Sequence, residues 1–288
     1  MVWTQHFTKP MTEKLVEHCL EGKVVDLGCG AGGYSIQLGY DSSSKILGID
    51  VNRDAVHLAE FKLEKAHLQP KDFIQSVEKE ARNFSESFVF KEDIKDGWIP
   101  SLPEHEEYIK LLPKRPGGRV NFEVGSFTSE YGRNFLAGIK PRSIEAFIAI
   151  QSFEHVDPIH LNQTFDLMNR ALKRKGLLLI AWVTQSLGEG KGDELLLPLD
   201  GGCIDLLGNQ GGYIARLSEI LQPLGFEPLE REMKEVVEKV VRREFNQFFT
   251  ISSYGGVRQD YYLKIYIGKK IGHSTFSLED ILERRLKR

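Results

Sequence analysis

The stretch VVDLGCGAGGYS at residues 24–35 constrains this chain more than any other segment. Its β-branched start reads as a buried strand. The glycines that follow permit a tight turn into a helix whose first N–H groups point at a ligand. Gly28, Gly30 and Gly33 satisfy G-x-G-x-x-G, the dinucleotide spacing. Asp26, Gly28, Gly30 and Gly32 satisfy D-x-G-x-G-x-G, a different nucleoside pattern. Both patterns put the ligand on one loop, so the choice between them decides the chemistry.

The rest of the chain alternates strand and helix. KILGIDV at 45–51 repeats the strand signature, and Val56, Ala59, Leu63 and Ala66 then recur at helical spacing, with Asn52 or Asp54 as the cap. RVNFEVG at 119–125 and IEAFIAI at 144–150 read as further strands. Leu161, Phe165, Met168 and Leu172 share one helical face that Gly176 is expected to close, and LLLIAWV at 177–183 follows as a fully buried strand. This order predicts an α/β fold, a parallel sheet with helices on both faces. In the last third, Ile214, Leu217, Leu221 and Leu224 form a stripe ended by Gly225. FEPLE is then a short strand, Met233, Val236, Val237, Val240 and Val241 a helix, and YYLKIYIG at 261–268 a partly exposed strand. Periodicity leaves the direction of that last strand open.

Two stretches interrupt the pattern. Residues 70–118 hold five of the eleven prolines, and residues 185–212 hold eight glycines. Long insertions in compact domains tend to be lids or binding loops, so at least one is expected to cover a ligand cleft. At 288 residues the chain suits one α/β domain with such insertions.

Several function classes fall away. A net charge of −3 exerts no pull on nucleic acid or anionic membrane. The longest apolar run has seven residues, against the roughly 20 of a membrane span. Cys19, Cys29 and Cys203 have no paired spacing and the eight histidines no HExxH, so no metal site is expected. The opening MVWTQHFTKP lacks a leader pattern, and the cytoplasm is the expected location.

Asp26 separates the two fingerprints. A carboxylate about 5 Å from a pyrophosphate would be repelled by roughly 3 kcal/mol at an effective dielectric near 20. S-adenosylmethionine (SAM) has no phosphate and carries a sulfonium and an ammonium, so the same carboxylate attracts it. Asp50, 22 positions after Gly28, suits ribose hydroxyls in either ligand. The single alternating series, without a second mononucleotide-binding half, also favours SAM.

With these pieces the chain resembles the class I SAM-dependent methyltransferases across roughly residues 10–270. The matching segments, in the family's order, are VVDLGCGAGGYS, ILGIDVN, IEAFIAIQSFEHV, LKRKGLLLIAWV and LSEILQPLGFEPLE. The resemblance implies a Rossmann-like seven-stranded sheet, its last strand antiparallel, with SAM across the carboxyl ends of the early strands. It puts 1–270 in one methyltransferase domain carrying both insertions and 271–288 in a helical tail. It further implies Gly28, Gly30 and Gly32 against the methionine part, Asp26 near its ammonium, Asp50 on the ribose, and Val51 and Asn52 beside the adenine. Ile150 and Gln151 would lie by the sulfonium and open onto the acceptor. Many members have Gly-Asp after the third strand, whereas this chain has Gly125 and Ser126, so a hydroxyl would meet the adenine amino group. Asp93 is the rival for that role, but it precedes the next strand by too long a segment.

Methyl transfer is an in-line displacement in which alignment supplies much of the rate. A base is needed only for a protonated acceptor, and His155, beside Glu154, is the candidate catalytic group. Gln151 is a candidate for orienting the acceptor, Tyr34 for packing over the methionine part, and Trp3, His6 and Phe7 for covering the cleft. A small-molecule acceptor is the first expectation. Protein or RNA acceptors are the alternatives, as is a SAM-binding protein without transferase activity. The oligomeric state is left open.

Overall fold

A computed structural model describes residues 11–18, 21–65, 68, 70–81, 119–128, 133–150, 152–153, 156, 158–185, 197–199, 202–204, 221–242 and 261–272. They fall into two compact units, Met1–Gly125 and Ser126–Arg288. The first holds β1 (Lys23–Leu27), α1 (Gly33–Asp41), β2 (Lys45–Asp50), α2 (Arg53–Lys65), α3 (Pro70–Ala81) and β3 (Val120–Val124). The second holds β4 (Ile144–Ile150), α4 (Pro158–Ala171), β5 (Leu172–Gln185), β6 (Leu197–Leu199), β7 (Gly202–Ile204), β8 (Phe226–Pro228), α5 (Glu230–Arg242) and β9 (Tyr261–Lys270). Seven strands form one mixed sheet in the order β3-β2-β1-β4-β5-β9-β8, and β6 and β7 form a separate antiparallel pair. Strand β9 runs antiparallel to both β5 and β8. That is the seven-stranded, Rossmann-like order of the class I methyltransferases.

In the first unit, β1 pairs in parallel with β2, and β2 with β3. Val24, Val25, Leu27, Ile46 and Ile49 are buried, which is why these strands read as continuous apolar runs. Asn52 caps α2: its Oδ1 accepts from the N–H of Asp54 at 2.9 Å and of Ala55 at 3.2 Å. The first part of the 70–118 insertion is helix α3, which the proline content concealed. Pro70 stands in its first turn, where a missing N–H costs nothing. Ala81 and Val77 of α3 pack on Ala31 and Leu58.

In the second unit, β4 and β5 are parallel neighbours, and Phe147, Ile148, Leu178 and Leu179 are fully buried. Gly176 does not close α4. That helix ends at Ala171 and the chain passes directly into β5. A Cβ on Gly176 would lie 2.9 Å from the carbonyl oxygen of Glu145 on β4, so the residue serves close strand approach. The left-handed residue here is Lys175, φ 67°, beside a shift of register between Ile144 and Ala146. Gly225 has φ 88°, while Ile214 and Leu217 of the stripe before it lie outside the described residues. Nor is β9 partly exposed at its far end. Tyr266, Ile267 and Lys270 are buried, and β9 lies between two strands.

The end of α4 is held by two polar side chains. Lys270 Nζ donates to the carbonyls of Asn169 and Leu172. Asn169 Nδ2 donates to the carbonyls of Leu224 at 2.7 Å and Gly272 at 3.1 Å. Lys270→Met keeps the stem and removes the donor from buried carbonyls. A loss of about 2 kcal/mol is expected, read as a lower urea midpoint with an unchanged slope.

Candidate functional site

The glycine turn is pinned by its own backbone. The N–H groups of Gly28 and Cys29 both donate to Ile49 O, at 2.8 and 3.0 Å, and the N–H of Gly32 donates to Cys29 O at 3.0 Å. Gly28, Gly30 and Gly32 have φ of 70°, 52° and 73°, where a side chain is strained. One side of the turn is packed. A Cβ on Gly32 would lie 2.5 Å from Phe122 Cζ and 2.7 Å from Ala59 Cβ. The other side is open: a Cβ on Gly30 or Gly33 would meet nothing within 4 Å among the described residues.

Asp50, at the end of β2, divides its carboxylate between two backbone donors. Oδ2 accepts from Gly30 N at 2.8 Å and Oδ1 from Asn52 N at 2.8 Å. Each oxygen keeps a further lone pair for a ligand hydroxyl. Val51 is 47% exposed, and Val124, opposite Asp50 in the β2–β3 register, is 49% exposed. Both are exposed apolar side chains near the acid, one next to it in sequence and one opposite it in register.

Asp26 is 2% exposed, and Ser35 Oγ donates to its Oδ2 at 2.6 Å. Burial pushes its carboxyl up to about 7; the Ser35 hydrogen bond opposes this and the Asp50 charge adds to it. Burial likewise pushes the Cys29 thiol up. The turn also holds a group that the sequence reading did not single out. Lys62 Nζ donates to Ala31 O at 2.9 Å, and desolvation draws its ammonium down to about 8. Its signal was present: Lys62 lies three and four positions after Ala59 and Leu58, on the buried stripe of α2.

Asp26, Gly28, Gly30, Gly32, Asp50, Val51 and Asn52 are thus gathered around the carboxyl ends of β1 and β2. Ser126 and Ile150 belong to the second unit. Ser126 Oγ accepts from Thr128 N at 3.0 Å and lies 3.1 Å from Thr128 Oγ1. When Ser126 donates to Thr128, one of its lone pairs stays available. Ile150 is half-buried at the last position of β4. Gln151, Glu154 and His155 lie outside the described residues, as do Trp3, His6, Phe7 and Asp93. So do 82–118, most of 186–220 and the tail after residue 272.

Residues 21–93 match a family model described as a methyltransferase domain. No curated protein matches the sequence. Among solved structures, phosphoethanolamine N-methyltransferase 2 of Haemonchus contortus in complex with SAM is 14% identical, with a TM-score of 0.42. The alignment covers 91% of this chain but only 52% of that enzyme, so the chain spans about half its length. A SAM-dependent methyltransferase from Methanosarcina mazei is 16% identical over 89% of this chain and 97% of the other, TM-score 0.44. Geranyl diphosphate C-methyltransferase from Streptomyces coelicolor A3(2) is 12% identical over 91% of this chain and 77% of the other, TM-score 0.42. The methyltransferase domain implies SAM as methyl donor.

Two substitutions test this geometry. A Cβ on Gly48 would sit 2.6 Å from the Phe122 ring, so Gly48→Ala is expected to cost about 1–3 kcal/mol, and Phe122→Leu in the same chain to recover part of it. A double-mutant cycle on urea midpoints measures the coupling. Asp26 binds its proton more tightly folded than unfolded, so its contribution to stability is full below about pH 4 and lost as pH rises through about 7. Asp26→Asn should therefore gain on the wild type between those values, by roughly 4 kcal/mol at most, and the gain should level off above pH 8. Urea titrations across that range check it.

Proposed function

We propose that this class I SAM-dependent methyltransferase passes the methyl group of SAM to a small-molecule acceptor. The observation that carries the donor site is Asp26, a buried carboxyl with a hydroxyl partner and a second carboxylate nearby. The donor's ammonium is the countercharge that position suits. The open side over Gly30 and Gly33 suits the methionine part, and the exposed side chains of Val51 and Val124 suit an apolar base. Gly28 and Gly32 shape the same turn, Asp50 offers spare lone pairs to the ribose, and Asn52 borders the base while capping α2. Ser126, Ile150 and Gln151 complete the cofactor set in this reading.

Bound SAM supplies a methyl group activated by a cationic sulfur. The chain's own part is alignment, which accounts for much of the rate in such displacements. Gln151 orients the acceptor and His155 removes its proton where it arrives as a hydroxyl or ammonium. The net charge of −3 weighs against RNA as acceptor. A cytoplasmic location belongs to the same reading, supported by cysteines without paired spacing.

Labelled SAM incubated with a small-molecule extract, bulk RNA and a protein fraction should label the small molecules. Label in RNA or protein instead would overturn the acceptor. His155→Ala is expected to slow transfer to a hydroxyl acceptor at least tenfold, and unchanged turnover removes the base assignment. Because the donor's ammonium favours ionised Asp26, binding should release a proton. Affinity is then expected to rise about tenfold from pH 6 to pH 8, and to stay flat in Asp26→Asn. Calorimetry in buffers of different ionisation heat reads both.

A further inference from the structure

We infer that Lys62 is a positioning residue of the donor site: from behind the glycine turn it fixes the Ala31 carbonyl, and so sets the conformation in which the open face receives the nucleoside. The inference rests on the donor reading above. Its geometry is independent of that reading.

Ala55, Leu58 and Ala59 form the buried stripe of α2, and Lys62 continues it one turn further on. Ala59 backs Gly32, since a Cβ there would lie 2.7 Å from Ala59 Cβ. Lys62 therefore approaches the turn from the packed side, opposite the open space over Gly30 and Gly33. Its ammonium reaches Ala31 O at 2.9 Å. The N–H of the same Ala31–Gly32 peptide donates to Cys29 O at 3.0 Å, so that peptide is held at both ends. The Ala31 methyl is held too, against Leu58 and Ala81. Rotation of this peptide would break the lysine bond and the Cys29 bond together.

Lys62 is partly buried and desolvation weighs against its ammonium, a cost that an apolar side chain at this stripe position would avoid. A long cation is justified where the carbonyl it holds must keep one direction. Its electrostatic neighbour in the turn is the Cys29 thiol, which in turn feels Asp26 at the end of β1 and Asp50 at the end of β2. On the outer side, His57 of α2 meets Glu80 of α3 at 2.8 Å.

The test measures binding of S-adenosylhomocysteine (SAH) and of SAM by calorimetry to the full chain. Lys62→Met keeps the stem and loses the ammonium; Lys62→Arg keeps a cation. Lys62→Met is expected to bind SAH about tenfold more weakly without a lower thermal midpoint, and Lys62→Arg within about threefold of wild type. Wild-type affinity should also decline above about pH 8, where Lys62 loses its proton, and the decline should be shallower in Lys62→Met, which keeps only the part due to the ligand's own ammonium. A merely structural lysine would lower the midpoint and leave the alkaline limb in place. Should Lys62→Met not fold, Lys62→Gln carries the same comparison. Wild-type SAH affinity in Lys62→Met, or equal weakness in the Met and Arg variants, overturns the inference. A wild-type chain that binds neither SAM nor SAH overturns the donor reading itself, and the two failures are told apart by the wild-type measurement.

Discussion

The carboxylate of Asp50 ties the end of β2 to the glycine turn after β1 and to the entry of α2. One oxygen takes the N–H of Gly30 in the turn after β1, and the other takes the N–H of Asn52 at the entry to α2. Neither donor lies inside a helix or strand, so without the acid both would need another acceptor. Asn52, fixed in this way, caps the helix that carries Ala59 and Lys62 to the back of the turn. The position of the glycine turn therefore follows from its backbone bonds to Ile49 together with a side chain on the same neighbouring strand.

Around this bond the chain gathers charges that folding alone would avoid. Asp26 is buried with a hydroxyl for a partner, and Lys62 spends its ammonium on one carbonyl. Both are shifted toward their neutral forms, which is the signature of groups kept in place against their own solvation. In a region where Phe122, Ala59 and Leu58 also pack, such groups weaken the fold by the cost of their desolvation.

Much of this was legible in the chain. The β-branched runs at 23–27 and 45–50 are strands, Asn52 is the cap, and the last long strand is antiparallel as the family resemblance implied. The misreadings share a cause. Gly176 looked like a helix stop, but glycine also marks close strand approach, and only the position of Glu145 O distinguishes the two. The helix over 70–81 was hidden because its first residue is proline and the segment beyond is polar. The burial of Tyr266 and Lys270, and the neighbour that β9 has on each side, are things no local pattern records.

By itself the sequence determined the turn and the acids beside it, since glycine spacing and strand-end carboxylates are properties of consecutive residues. It could not decide what those acids and the lysine face. That Asp26 is shut away from water, that Lys62 grips Ala31 from 31 positions off, and that Phe122 underlies Gly32 and Gly48 are decisions of tertiary structure. Burial and electrostatic neighbourhood depend on distances between segments far apart in the chain. Local sequence fixes periodicity and backbone freedom, and those distances exist only once the strands are in register.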